Sequence, residues 1–141
     1  MRRSCLAVCA ALTLPLAACQ GADKNGETSS SVKTVTVEGK AFYRERIALP
    51  PGAMLHVKVV DLQHADATLG VVAADNFNAT LVPIPFELEV KGAKIEPNKQ
   101  YGVSASLRDV DDKLLFTAET PVPVDLRAPA SVEIRLVRAT E

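Results

Sequence analysis

The stretch Ile84-Pro85-Phe86-Glu87-Leu88-Glu89-Val90-Lys91 decides the fold class. Ile84, Phe86, Leu88 and Val90 alternate with Glu87, Glu89 and Lys91. Successive side chains of a strand point to opposite faces, so this pattern gives one apolar, buried face and one charged, solvated face. Proline has no N–H for a ladder. Pro83 and Pro85 therefore place the beginning of the strand at a sheet edge or just outside the ladder.

The same period of two recurs on both sides of this stretch. Val35, Val37, Ala41 and Tyr43 share one parity across 33–43, with Gly39 marking a bulge or a close approach. Ile47-Ala48-Leu49 is a short apolar step before Pro50-Pro51-Gly52. Pro51 and Gly52 suit the two central positions of a type II turn, where Pro presets φ and Gly accepts a positive φ. Leu55, Val57 and Val59 then face one way, with His56 and Lys58 the other. The segment 67–74 suits a strand or a short helix by composition, and its β-branched residues and Gly70 favour a strand.

Tyr101, Val103, Ala105 and Leu107 form another inward row. Asp109 to Lys113 reads as a charged turn, with Leu114 to Ala118 as the hairpin partner. Pro121 and Pro123 break the return path, and Val132, Ile134 and Leu136 close the domain with Glu133 and Arg135 outward. Six to eight short strands without a long helical pattern define an all-β, small antiparallel domain. An immunoglobulin-like β-sandwich is expected over a small barrel, because the prolines mark sheet edges and no regular meander is visible. Trp is absent and aromatic residues make up 4% of the 141 residues, so the core must be aliphatic.

Upstream of the strands lies a different kind of sequence. Arg2 and Arg3 precede a nearly continuous apolar run from Cys5 to Leu16, and Leu16-Ala17-Ala18 leads into Cys19 with small side chains. A basic start, a short apolar centre and small residues before the cleavage point describe a secretory signal, too short to span a bilayer. Leu16-Ala17-Ala18-Cys19 resembles the lipobox of bacterial lipoproteins. That resemblance implies cleavage before Cys19, lipidation of its thiol and new amino terminus, and, with Gln20 following, transfer to the outer membrane facing the periplasm. The expected organisation is a signal peptide at 1–18, the lipidated cysteine and a polar tether at 19–31, and one β domain at 32–141.

Cys5 and Cys9 would leave with the leader, so no disulfide is available within one mature chain. Loss of Arg2 and Arg3 shifts the formal net charge from −1 to −3, which gives no reason to expect nucleic acid.

No residue set reads as a catalytic centre. His56 lies on the outer face of its strand and His64 in the following loop, with Asp61 and Asp66 near only in sequence; solvated side chains explain them better than a metal site. Asp109, Asp111 and Asp112 resemble a sparse calcium loop, but the closing bidentate Glu is missing. Ser104 and Ser106 lie in a strand without a nucleophile elbow. Asn78-Ala79-Thr80 fits a glycosylation pattern that a bacterial lipoprotein does not normally use. No cofactor and no metal are expected. The alternating charges of Arg44, Glu45 and Arg46, beside Tyr43, form the candidate protein contact: on a pleat, Arg44 and Arg46 would share a face. A solvated edge that discourages aggregation is the competing reading.

The stretch from Gly39 through Tyr43-Arg44-Glu45-Arg46 to Leu49-Pro50-Pro51-Gly52 is similar to the opening of the YbaY/YscW family of Gram-negative envelope lipoproteins. Val59-Val60-Asp61-Leu62 with Asp66-Ala67, Val82-Pro83-Ile84-Pro85-Phe86 and Tyr101-Gly102-Val103-Ser104-Ala105 extend the resemblance over almost the whole domain. It implies a β-sandwich lipoprotein with no cofactor and no catalytic residue. One branch of the family serves as pilotin or chaperone for the outer-membrane secretin of type III secretion; this sequence looks like the general branch, which leaves a secretin as an inherited partner only by implication. Two functions follow as expectations. The first is a non-catalytic interaction or assembly module using a strand edge or the Arg44–Arg46 region. The second is a carrier of a small apolar ligand, which needs a concave apolar pocket.

Overall fold

The computed structural model describes residues 33–64 and 70–140. The leader, Cys19, the tether and Asp66 lie outside the described residues. Eight strands follow in order: β1 Thr34–Phe42, β2 Met54–Asp61, β3 Val71–Asn78, β4 Ile84–Lys91, β5 Tyr101–Arg108, β6 Leu114–Ala118, β7 Val122–Val124 and β8 Ala130–Arg138. Short 3-10 turns at Leu62–His64 and Gly92–Lys94 follow β2 and β4.

The hydrogen-bonded path is β3-β2-β5-β6-β8-β1-β4, with β7 beside β6 on the same flank of β5. Every pairing is antiparallel except β1 with β8. Strand β8 serves two neighbours in succession. Ala130–Arg135 pairs parallel to β1, and Leu136–Arg138 pairs with β6. The path ends at β3 and β4, whose edges are bridged by Phe77 and Phe86, ring centroids 6.1 Å apart. The result is an all-β, mostly antiparallel and nearly closed barrel-like sheet.

The deciding stretch lies as its sequence requires. Ile84, Phe86, Leu88 and Val90 are buried, Pro85, Glu87, Glu89 and Lys91 are exposed, and β4 is an edge strand. Inward rows from β1, β2, β5 and β8 meet it, and Leu55, Ile84, Leu107, Ile134 and Leu136 are each under 2% exposed. Each such side chain contributes about 1.5–3 kcal/mol relative to exposure, before the entropy of ordering the chain is counted. Gly39 is a close approach: a Cβ there would collide with the Phe86 ring and the Val132 carbonyl. Its two ladder partners, Phe86 and Val132, are those same residues.

Three expectations needed correction. The strand placed at 67–74 is β3, Val71–Asn78; it is at most half-buried at every position, so its alternation is faint. The return path at Pro121 and Pro123 contains β7, in which Pro123 stands opposite Gly102 on an outer flank. Arg44–Arg46 belongs to no strand, because β1 ends at Phe42 and the chain leaves the pleat.

Strand directions define two ends. Phe42, Met54, Asn78, Ile84, Arg108, Leu114 and Arg138 mark one, the loop end. Thr34 and Lys91 mark the other, where Lys33 enters and accepts a bond from the Gly92 N–H at 2.6 Å. The nine-residue β1 separates them by about 26 Å at ~3.3 Å per residue.

Candidate interaction surface

The connection from β1 to β2 is the most prominent feature of the loop end. Tyr43 keeps the inward parity of β1 one residue beyond its ladder and is 8% exposed. Its ring stacks on Phe116 of β6, centroids 4.3 Å apart and planes 11° from parallel. Its hydroxyl donates to the Ile47 carbonyl at 2.9 Å, closing a loop over the three residues between them. Burial, and then the Glu45 carboxylate, push the phenol above its ordinary range. The loop so closed carries Arg44, Glu45 and Arg46, all exposed. The contact residues expected from sequence thus divide: Tyr43 is the internal fastening, and the three charged residues form the outer arm that it holds.

Beyond the arm, the Ala53 N–H donates to the Pro50 carbonyl at 3.2 Å and Gly52 takes φ 77°. That is the type II turn read from Pro51-Gly52. Between the arm and β5, β6 and β8 lies an open groove of about 260 Å³, floored by Leu107, Leu115 and Phe116 and walled by Ile47, Leu49 and Pro50. Arg138 at the end of β8 borders it. Arg44, Arg46 and Arg138 have no ion-pair partner among the described residues.

Ile47 on this arm is 45% exposed. The other large apolar side chains at the loop end are Leu81 at 58% and Val82 at 38%, between β3 and β4, and Val110 at 75%, between β5 and β6. The Ala79 N–H on the Ala53 carbonyl at 3.0 Å ties the β1–β2 loop to the β3–β4 loop, and Val110 of the β5–β6 turn lies beside Gly52, where an added Cβ would meet its side chain at 3.5 Å. Among the described residues, Val71 is the one comparably exposed large apolar residue at the opposite end. Sequence reasoning found the charges of the arm but not this convergence, because the three loops are far apart in the chain.

The remaining candidates do not assemble into chemistry. Asp109 Oδ1 accepts from the N–H groups of Asp111 and Lys113, both at 2.9 Å, and Arg108 pairs with Asp112, so the charged turn satisfies itself. His56 faces Ser106 and Lys58 faces Ser104 across the β2–β5 ladder, apart from His64 at the far end of β2. No group of three or more His, Cys, Asp or Glu side chains suited to a metal occurs among the described residues.

The expectation that Asp61 is near the histidines only in sequence needs correction, because it is a buried charge in contact with His64. Asp61 is 4% exposed, accepts from the Gln63 N–H at 2.9 Å, and lies 3.3 Å from both His64 Nδ1 and Lys99 Nζ. The Gln63 N–H, followed by His64 and Lys99, holds its carboxyl below the usual range against the opposing effect of burial. Lys99 also reaches Glu96 at 2.7 Å, and the Glu96 N–H donates to the Tyr101 hydroxyl at 2.7 Å. This network fastens the β2–β3 connection to the segment before β5. The signal in sequence was a carboxylate ending the apolar run Val59-Val60, two residues ahead of an N–H it can cap.

A small all-β domain that presents an exposed apolar loop end beside a fastened arm has the features of a contact surface. The family described as "Type III secretion system lipoprotein chaperone (YscW)" matches residues 32–136, and the chain belongs to that family. It is therefore a non-catalytic lipoprotein of the bacterial envelope. The chain is 30% identical over 144 aligned positions to the uncharacterized lipoprotein YbaY of Escherichia coli K12, covering 90% of this chain and 74% of that protein. It is also similar to the solved structure of an alternative pilotin from the type II secretion system of Vibrio cholerae. That match has 37% identity, a TM-score of 0.67, and covers 77% of this chain and 100% of that one.

Proposed function

We propose that the chain is a pilotin- or chaperone-like assembly module, lipidated at Cys19 and held at the outer membrane facing the periplasm, with an envelope secretin as its partner. The mature protein begins at Cys19, and the folded domain spans residues 32–141. The observation that carries this reading is the concentration of Ile47, Leu81, Val82 and Val110 at the end opposite Lys33. Exposed apolar side chains gathered from separate loops mark contact surfaces, and here the anchored terminus leaves from the other end. Arg44, Glu45 and Arg46, held in place by Tyr43, supply the polar part of that surface.

The inward side chains fill the space between the strands, which argues against a carrier of a small apolar ligand. The division of β8 between β1 and β6 supports reading the barrel as two facing sheets in an immunoglobulin-like layout. The family membership and the named activity of the Vibrio cholerae pilotin support the secretin assignment.

Deleting the gene and fractionating the envelope tests it. Secretin multimers should leave the outer-membrane fraction and return on complementation with the wild-type chain, but not with Cys19→Ser. A secretin distribution unaffected by deletion would rule out the pilotin role.

A further inference from the structure

We infer that the groove under the Arg44–Arg46 arm is a docking site for a peptide segment of a partner protein that combines apolar side chains with carboxylates. The inference rests on the assembly-module reading and names the chemistry of the ligand at that same surface. Its support is charge complementarity around an apolar floor. Leu107, Leu115 and Phe116 lie at the bottom, Ile47 stands half-exposed on the wall, and Arg138 borders the opening. Arg44 and Arg46 are carried on the arm between Tyr43 and Ile47, which both line the groove. Arg138 is the charged residue that lines the groove; Glu45 is the one acid on the neighbouring arm, so the arm and the end of β8 together carry a surplus of two positive charges.

None of the three guanidinium groups is neutralised within the described residues, although Arg108 and Arg127 each pair with a local aspartate. A guanidinium presents its donors in a planar fork that matches a carboxylate. Cations left free beside an apolar floor select an occupant with acids flanking its apolar residues.

The size of the groove limits the occupant further. About 260 Å³ lies below the roughly 300–1,000 Å³ of sites that enclose a small molecule. It accommodates one or two side chains, which suits a segment laid across the surface. The position disfavours a lipid occupant, since the groove lies at the loop end and the chain enters the domain at the other. The fastening of Tyr43 to Phe116 and Ile47 holds the arm in place before the ligand arrives, which lowers the ordering cost of binding.

The test uses the full mature chain in detergent micelles and three probes: a labelled peptide alternating leucine and glutamate, its counterpart alternating leucine and lysine, and phosphatidylglycerol vesicles. Fluorescence anisotropy should show saturable binding of the glutamate peptide, weakened by salt, with the lysine peptide at least about tenfold weaker. Arg44→Glu with Arg46→Glu, Arg138→Glu alone, and Ile47→Asp should each lower the affinity about tenfold or more. Val71→Asp at the other end should leave it unchanged, and circular dichroism should report the same fold for all four variants. Equal binding of the two peptides, binding indifferent to these substitutions, capture by the vesicles alone, or no binding of the glutamate peptide would each overturn the assignment. If the glutamate peptide fails while secretin sorting still depends on the gene, only this site falls; if it binds while sorting does not, only the pilotin role falls.

Discussion

Tyr43 is where the fold and the contact surface can be separated by experiment. Tyr43→Phe removes one hydrogen bond, from the hydroxyl to the Ile47 carbonyl, and leaves the ring on Phe116. A hydrogen bond contributes about 0.5–1.5 kcal/mol net, and the Ile47 carbonyl belongs to a residue that water can reach, so the expected loss is about 0.5–1 kcal/mol. Tyr43→Ala removes the ring as well. A buried aromatic ring covers about 150–250 Å², which at ~25 cal/mol per Å² is roughly 4–6 kcal/mol as an upper bound, and truncations of this kind cost about 3–5 kcal/mol.

Urea titration followed by far-UV circular dichroism should therefore give two well-separated steps. The wild type and Tyr43→Phe should differ by about 1 kcal/mol or less, and Tyr43→Ala by several times that. Limited proteolysis should cut Tyr43→Phe between Arg44 and Arg46 faster than the wild type, because the arm has lost its fastening while the core has not. Equal stability losses in the two variants would refute the division into ring and hydroxyl. So would a Tyr43→Ala protein as stable as the wild type, which would mean the ring is not part of the core. The phenol also predicts a pH limit. Its folded pKa is raised by burial and by Glu45, so the stability it contributes is complete below about pH 10 and is lost as pH rises past the unfolded value and through the raised folded one.

Three further outcomes follow from the rest of the structure. Gly39→Ala should destabilise by about 1–3 kcal/mol in the same titration, since the new methyl meets the Val132 backbone as well as the Phe86 ring; an unchanged midpoint would disprove the close approach. Gly52→Ala should cost roughly 1–2 kcal/mol by forcing a Cβ into the left-handed region at φ 77°, whereas Pro51→Ala should cost less. Asp61 has a folded pKa below its unfolded one, so its contribution is present above the unfolded value and fades as pH falls below about 4 through the folded value; thermal melts against pH should lose part of that acid slope in Asp61→Asn.

What the sequence made legible was decided by how different the two faces of each strand are. In β4 the inward positions are all buried and the outward ones all exposed, and period two is unmistakable. In β3 the contrast vanishes because the row opposite the inward Val59, Val57 and Leu55 is Ala73, Asp75 and Phe77, which includes an acid and has no fully buried member, and a register shift at Val59/Val60 of its partner breaks the count. Strand β7 has three residues and a central proline, too short for any periodicity, and exists because Tyr101–Val103 offers a free ladder flank below β6. The parallel pairing of β8 with β1 joins residues nearly a hundred positions apart, which no local pattern reports. Tyr43 was legible as an inward residue, but its role as fastening depends on Phe116, a long-range partner.

The change of neighbour along β8 also explains why the contact surface lies where it does. Because Ala130–Arg135 follows β1 in parallel, β8 must reach the loop end beside Phe42, and its last residues then turn to β6. That brings Arg138 and Phe116 together under the segment that leaves β1, and the Ala139 N–H on the Leu115 carbonyl at 3.0 Å secures the exit. An antiparallel β8 would carry its C-terminal arginine to the end where Lys33 enters. The one parallel pair in the sheet therefore separates the end where Lys33 enters from the groove under the Arg44–Arg46 arm. A module built this way can be held at a membrane through one end and remain open for binding at the other.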